Sequence, residues 1–331
     1  VCIMDLYICT TYYHLYVLLL KRLTGHQSEC DVVICDDIPT GKALSINLKI
    51  SGLFKRIWYV EQSKLPDDRG QGRIDRILFQ HRRRYKMLSR LLPFDVKSYD
   101  NIYIFHDDTS LGRLLNDAHK KYHLIEDSYN FFQRLKDTPQ AIHLRKKNYK
   151  YPFAKLLNSG YFPMGESKYV LDIEVNENHS LQIKGKKIFE LSRDAMRAQL
   201  SKEDKCVMYK IFGCPVFPVM SNKQALLLTE PLALDGVCDE ATQYGIYSCI
   251  VSDLKSKGFD VLIKPHPRDN VDYGKLQAFI TERTYPIELF IDCLEQPLCI
   301  VAAVSSSAVY SIHAKKIYLY SFLINGGQKD V

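Results

Sequence analysis

The chain has no C-x-x-C pair, no apolar run long enough to cross a bilayer, no internal repeat and no low-complexity tract. Each absence removes a class of protein. Ten cysteines are present, but they lie far apart (Cys2, Cys9, Cys30, Cys35, then none until Cys206), which excludes the paired spacing of a zinc or dithiol site. Several sit inside apolar runs, as Cys299 does in LCIVAAV, where a free thiol behaves as a small hydrophobe. That usage points to a reducing, cytoplasmic setting. The most membrane-like stretch, YYHLYVLLL, is nine residues long and ends at Lys21 and Arg22, against the ~20 residues a span requires. It reads as neither a span nor a signal peptide. Only 16 Gly and 13 Pro accompany 46% hydrophobic and 25% charged residues, so no fibrous or disordered segment is expected. Helix-turn-helix, zinc-finger and aromatic RNA-binding signatures are missing as well, which argues against a nucleic-acid partner.

What is present suits two domains, since 331 residues exceed one typical core. The net charge of +7 is uneven: residues 1–187 hold 30 Lys+Arg against 21 Asp+Glu, and residues 188–331 hold 15 against 17. The excess sits in runs such as HRRRYK (His81 to Lys86) and RKKNYK (Arg145 to Lys150). Such runs form solvated helix faces or meet an anionic partner, such as a lipid surface or an acidic glycan.

Along the chain, short apolar runs alternate with helical stretches. IMDLYIC, DVVIC, RIWYV, NIYIF and YHLIED read as strands. After a helical stretch over 192–212 the alternation restarts with QALLLTEP, FDVLIKPHP, LCIVAAVSSSA and KKIYLYSFL. Apolar strands alternating with helices predict parallel sheets covered on both faces. The expected fold is therefore α/β, with two Rossmann-like, doubly wound domains at 1–187 and 188–331 and a crossover somewhere between Asn176 and Asn222. The final INGGQKDV lacks a closing helix and reads as a truncation.

Ligands of open α/β sheets bind at the carboxyl ends of strands. The residues there are Thr10 and Thr11, Asp107 and Asp108, Glu126 and Asp127, Thr229 and Glu230, His266, and Ser305 to Ser307. In LIKPHPRD, Pro265 and Pro267 bracket His266 and push Lys264 and His266 toward extended backbone, so the imidazole is presented rigidly to a departing phosphate or closes a loop. In VSSSAVYS, Ser305, Ser306 and Ser307 cap a following helix or offer hydroxyls and N–H groups to a phosphate. In YPIELF, Pro286 opens a helix and Glu288 complements its dipole or holds a ribose. Glu126 and Asp127 form an exposed acidic turn or supply a general base, each charge raising the other's pKa. The HDD of His106 to Asp108 is too weak a pattern to predict a metal.

Taken in order, YICTTYYHLYVLLLK, YHLIEDSYNFF, LIKPHPRD, YPIELF and VSSSAVYS resemble the motif series of bacterial sialyltransferases of glycosyltransferase family 52. The resemblance implies a GT-B arrangement of two Rossmann-like domains facing a cleft. It also implies transfer of sialic acid from CMP-sialic acid to a hydroxyl, such as that of galactose, in lipooligosaccharide or capsular polysaccharide, with no metal or other cofactor. Glu126 and Asp127 then occupy the acidic motif, His266 and Pro267 the H-P motif, and Ser305 and Ser306 the motif that binds the donor's phosphate. Ser128 stands where the family often has glycine, and TEPLALDG offers Asp235 as a rival base. Lys264, Pro286, Glu288, Ser307 and Thr11 complete the expected donor-binding set. Expected partners are the nucleotide sugar, the acceptor glycan, a second copy of the chain and an anionic membrane at the inner face of the plasma membrane. The runner-up is another surface-polymer transferase with a different nucleotide-sugar or polyol-phosphate donor.

Overall fold

The computed structural model describes residues 4–65, 80–107, 109–129, 131–132, 165–178, 183, 185–213, 223–291, 298–306, 308–309, 312 and 314–323. They fall into two compact units, Val1–Ile211 and Phe212–Val331.

The first unit begins with β1 (Asp5–Cys9), α1 (Tyr12–Leu23), β2 (Asp31–Cys35), α2 (Gly41–Ser51) and β3 (Ile57–Val60). It continues through α3 (Gln80–Leu91), β4 (Asn101–Ile104), α4 (Ser110–Asp117) and β5 (Tyr122–Ile125). It ends with β6 (Val170–Val175), β7 (Lys187–Glu190), α5 (Arg193–Gln199) and α6 (Lys202–Phe212), the last reaching into the second unit by one residue. The strands form one parallel sheet in the order β3-β2-β1-β4-β5-β6-β7. β1 and β2 are buried along their whole length, as unbroken apolar runs in a sheet covered on both faces should be. Thr11 caps α1, its Oγ1 accepting the His14 N–H, while Lys21 and Arg22 complement the dipole at the far end.

The division falls at 211/212, within the 176–222 window but later than the 187/188 boundary read from the sequence. Two interactions hold residues 187–211 to the first unit. β7 pairs with β6, from Asp172 opposite Lys187 to Val175 opposite Glu190. In addition, Arg193 at the start of α5 and Lys21 on α1 both bind the Glu174 carboxylate of β6, at 2.7 and 2.5 Å, with all three side chains at most 5% exposed. Burial alone would raise the Glu174 pKa; the two cations outweigh it and lower it.

The second unit contains β8 (Gln224–Leu228), α7 (Glu240–Ser256), β9 (Asp260–Lys264), β10 (Phe279–Ile280), α8 (Ile287–Ile291), β11 (Leu298–Ala303) and β12 (Ala314–Leu319). Its parallel sheet has the order β10-β9-β8-β11-β12. Both units are therefore doubly wound parallel-sheet domains, as expected. No helix among the described residues is long and apolar enough to cross a membrane. Of the two basic runs, one lies within α3 and the other outside the described residues.

Candidate functional site

In each sheet the chain reverses its direction of winding at one point, and there the loops after two neighbouring strands part and leave a crevice. In the second unit that point lies between β8 and β11. Thr229 and Glu230 follow β8, and Ser305 follows β11. The Glu230 carboxylate spans the crevice: Oε2 accepts the Ser305 backbone N–H at 2.8 Å and Oε1 accepts the Ser305 hydroxyl at 3.0 Å. An anion thus already occupies the donors that the sequence offers to a phosphate. Burial raises the Glu230 pKa, more than the Ser305 hydrogen bonds lower it. Its backbone is fixed from the other side, the Glu230 N–H donating to the hydroxyl of buried Tyr247 at 2.7 Å. Ser306 is half-buried and its Oγ accepts the Ala308 N–H; residues 308 and 309 form a 3₁₀ turn, while Ser307 lies outside the described residues. Helix capping is therefore not what engages Ser305 here.

One strand away, β9 ends in the His-Pro loop. The His266 N–H donates to Thr229 Oγ1 at 3.1 Å, and the Thr229 hydroxyl donates to Asp269. Asp269 is fully buried and also accepts from Gln243 Nε2 (2.9 Å), Val271 N (3.0 Å) and Tyr273 Oη (2.9 Å). This satisfied network clamps the loop. The Arg268 N–H donates to His266 Nδ1 at 3.1 Å, so the ring's other nitrogen, Nε2, carries the proton of the neutral form. Burial, then Arg268 and Lys264, push the His266 pKa down to about 4, so near pH 7 the unliganded imidazole is a neutral hydrogen-bond donor. Arg268 also reaches Asp235, at 3.1 and 3.4 Å, and so brings the rival base to the His-Pro loop. Lys264 is 4% exposed, donates to the Pro265 carbonyl at 3.2 Å and lies 4.6 Å from the centre of the Tyr285 ring. Pro267 is half-buried beside His266; Pro286 is buried, and Glu288 in the first turn of α8 is 7% exposed. Glu288 belongs to the interior of the unit rather than to an open surface.

In the first unit the reversal lies between β1 and β4. His14, in the first turn of α1, is fully buried and stacks on Phe105 at 4.3 Å. Its Nδ1 accepts the Thr10 N–H at 3.1 Å, so Nε2 carries the proton and donates to Asp127 Oδ1 at 3.0 Å. Asp127, just past β5, keeps 22% of its side chain exposed. Its neighbour behaves oppositely. Glu126 is 1% exposed, its Oε1 accepts the Phe132 N–H (3.3 Å) and its Oε2 the Asn176 N–H (2.8 Å). The pair is thus no exposed acidic turn: Glu126 holds two backbone N–H groups from within the unit, while Asp127 keeps solvent access. Thr11 is exposed but engaged as the cap of α1. Asp107 is buried, accepting from Tyr122 Oη (2.9 Å) and Gly165 N (3.3 Å); Asp108 lies outside the described residues.

The structure thus joins Glu230 to Ser305 and Asp235 to Arg268, and adds His14 to Asp127. Sequence reasoning did not single out His14. The available signal was a histidine in the first helical turn after a strand-end Thr-Thr pair.

Over 129 residues the chain is 26% identical to an uncharacterized protein of Haemophilus influenzae; the matched stretch is 38% of this chain and 41% of that relative's length. Three solved structures align over most of the chain. The spinosyn rhamnosyltransferase SpnG, complexed with thymidine diphosphate, is 12% identical with a TM-score of 0.46, over 94% of this chain and 77% of that one. The glycotransferase of kitacinnamycin is 11% identical with a TM-score of 0.41, over 92% and 76%. The spinosyn forosaminyltransferase SpnP is 9% identical with a TM-score of 0.43, over 94% and 77%. The family model for glycosyltransferase family 52 matches residues 45–325, most of the sequence, and on that match the chain belongs to glycosyltransferase family 52.

Proposed function

We propose that the chain is an inverting sialyltransferase, moving sialic acid from CMP-sialic acid to a hydroxyl, such as that of galactose, of a capsular polysaccharide or lipooligosaccharide. The observation that carries this reading is the anion seat at Ser305, which already holds one carboxylate beside the His266 loop in a chain of family 52. A donor phosphate placed there accepts the Ser305 N–H and hydroxyl, with Ser306 adjacent. The Nε2–H of His266 donates to the oxygen that leaves with CMP, and the growing phosphate charge favours a full proton on that ring. A monophosphate leaving group carries less charge than a diphosphate, so these donors suffice without a metal or other cofactor. The oxocarbenium-like centre is stabilised by placed charges and by the donor's own carboxylate.

Asp127 takes the acceptor's proton in this proposal. His14 holds its carboxylate by one oxygen, which fixes orientation while the group stays partly exposed. A second reading places the base at Asp235, favoured by its ion pair with Arg268 two residues from His266. The acceptor would be met at the inner face of an anionic plasma membrane, in keeping with the net +9 of residues 1–187.

Thermal melting with nucleotides tests the donor. CMP at a hundredfold excess over its Kd should stabilise the fold by roughly 2.7 kcal/mol, while UDP, GDP and CDP-glycerol do less. Ser305→Ala with Ser306→Ala should erase most of the shift. A protein indifferent to CMP and stabilised by UDP or CDP-glycerol would replace the sialyl donor with that of another surface-polymer transferase.

A further inference from the structure

Ser305 offers two donors at the winding reversal of the second sheet, and Glu230 takes both, one with each carboxylate oxygen. The pairing is long-range, 75 residues apart in sequence, so it is the strand order that makes it, β8 lying beside β11. A phosphate accepting the Ser305 N–H and hydroxyl would bind those same hydrogens. Both anions cannot hold them at once, and two negative charges in one crevice repel.

We infer that Glu230 is an internal competitor for the phosphate at Ser305, and so a specificity-determining residue that sets how strongly the site takes a phosphorylated ligand. The inference rests on the reading that a nucleotide phosphate seats at Ser305. The side chain is placed for this exchange. The Glu230 backbone is tied to Tyr247 and follows directly on β8, so its main chain stays put when the carboxylate swings away from Ser305. Bound to Ser305 the group is half-buried, and Asp235 adds a second negative field there that favours neither anion over the other but raises the cost of holding both. Arg268, on the His-Pro loop, faces Asp235 and draws that charge toward itself. When the phosphate leaves, the carboxylate returns to Ser305, and the seat does not stand open to the next free anion.

Glu230→Gln tests this with almost no change of shape. The amide oxygen still accepts one Ser305 hydrogen, so the crevice remains built, but the charge is gone. Binding of CMP, UDP, inorganic phosphate and the nucleoside cytidine is measured by calorimetry on the full chain, wild type against Glu230→Gln, with melting curves confirming both are folded. Hydrogen bonds to charged groups are worth about 1.5–3 kcal/mol, so the phosphorylated ligand that the site accepts should bind roughly ten- to a hundredfold more tightly to the variant. Cytidine, which carries no phosphate, should be unchanged. Ser305→Ala added to Glu230→Gln should cancel most of the gain. If UDP gains affinity and CMP does not bind, the inference stands and the sialyl-donor reading falls. If no phosphorylated ligand gains affinity, or if cytidine gains as much as CMP, Glu230 is not a competitor and the inference is overturned.

Discussion

Replacing Glu126 by alanine should harm the fold far more than the chemistry. Both of its carboxylate oxygens accept backbone N–H groups, from Phe132 at 3.3 Å and Asn176 at 2.8 Å, in a side chain 1% exposed. Alanine leaves both donors buried and unsatisfied, at about 1–3 kcal/mol each, with the longer bond at the low end. The sum is about 2–5 kcal/mol. Arg193 also loses a nearby negative charge, which acts in the same direction. At roughly 2–4 °C per kcal/mol for a unit of about 200 residues, the melting midpoint should fall by about 4–20 °C. Asp127→Ala breaks neither backbone bond, so its midpoint should stay within about 1–2 °C while transfer falls roughly 10²- to 10⁴-fold. Calorimetry paired with initial rates, taken well below both midpoints, separates the two. The reasoning fails if Glu126→Ala melts with the wild type yet loses more than a hundredfold in rate.

His14→Gln removes the hydrogen bond that orients Asp127 and should lower kcat more than it changes the acceptor KM; loss in Asp235→Asn with none in Asp127→Asn would move the base to the second unit. Because His266 is pushed down to about 4 from an ordinary 6.5, the unfolded chain takes up its proton first. The associated stability is full above about pH 6.5 and lost as pH falls toward 4, a slope that His266→Gln should flatten in denaturant titrations of the unliganded protein. Transfer should persist in excess EDTA; complete loss restored by Mg²⁺ or Mn²⁺ would refute the metal-free leaving group. Cosedimentation with anionic vesicles should weaken steeply as salt rises, and binding indifferent to salt would count against the membrane-facing first unit.

The strands were readable because unbroken apolar runs such as DLYIC and DVVIC are what a sheet covered on both faces demands. The strand-end rule then located His266, Asp127, Glu230 and Ser305 without any coordinates. Which of two adjacent carboxylates turns inward was not readable. Past the end of β5 the alternation of a strand no longer applies, and the choice depends on N–H groups at 132 and 176. His14 was hidden in a helix whose apolar pattern made it look like core, and it is core by burial, yet its ring nitrogens are both committed to polar partners. Glu230 and Ser305 were each visible at a strand end. Their meeting was not, because it requires knowing that β8 and β11 are neighbours while β9 and β10 intervene in the chain. The division at 211/212 was not legible either, since composition shows no break at β7 and only its pairing with β6 assigns it to the first unit.

The buried trio of Lys21, Glu174 and Arg193 also sets a schedule for synthesis. Lys21 leaves the ribosome 153 residues before Glu174 does, an interval of about 8–30 s at roughly 5–20 residues per second. Until then the inner end of α1 carries an ammonium with no carboxylate to meet it, and even when Glu174 arrives the second cation, Arg193, is still to come. The central strands of the first unit can pair early, but the ammonium in the last turn of α1 meets its carboxylate only once the chain has passed 174, and that carboxylate its second cation only once it has passed 193. A polypeptide released at 187 would hold Lys21 and Glu174 without Arg193 and without most of β7, and should be captured by chaperones that the chain released beyond 211 escapes.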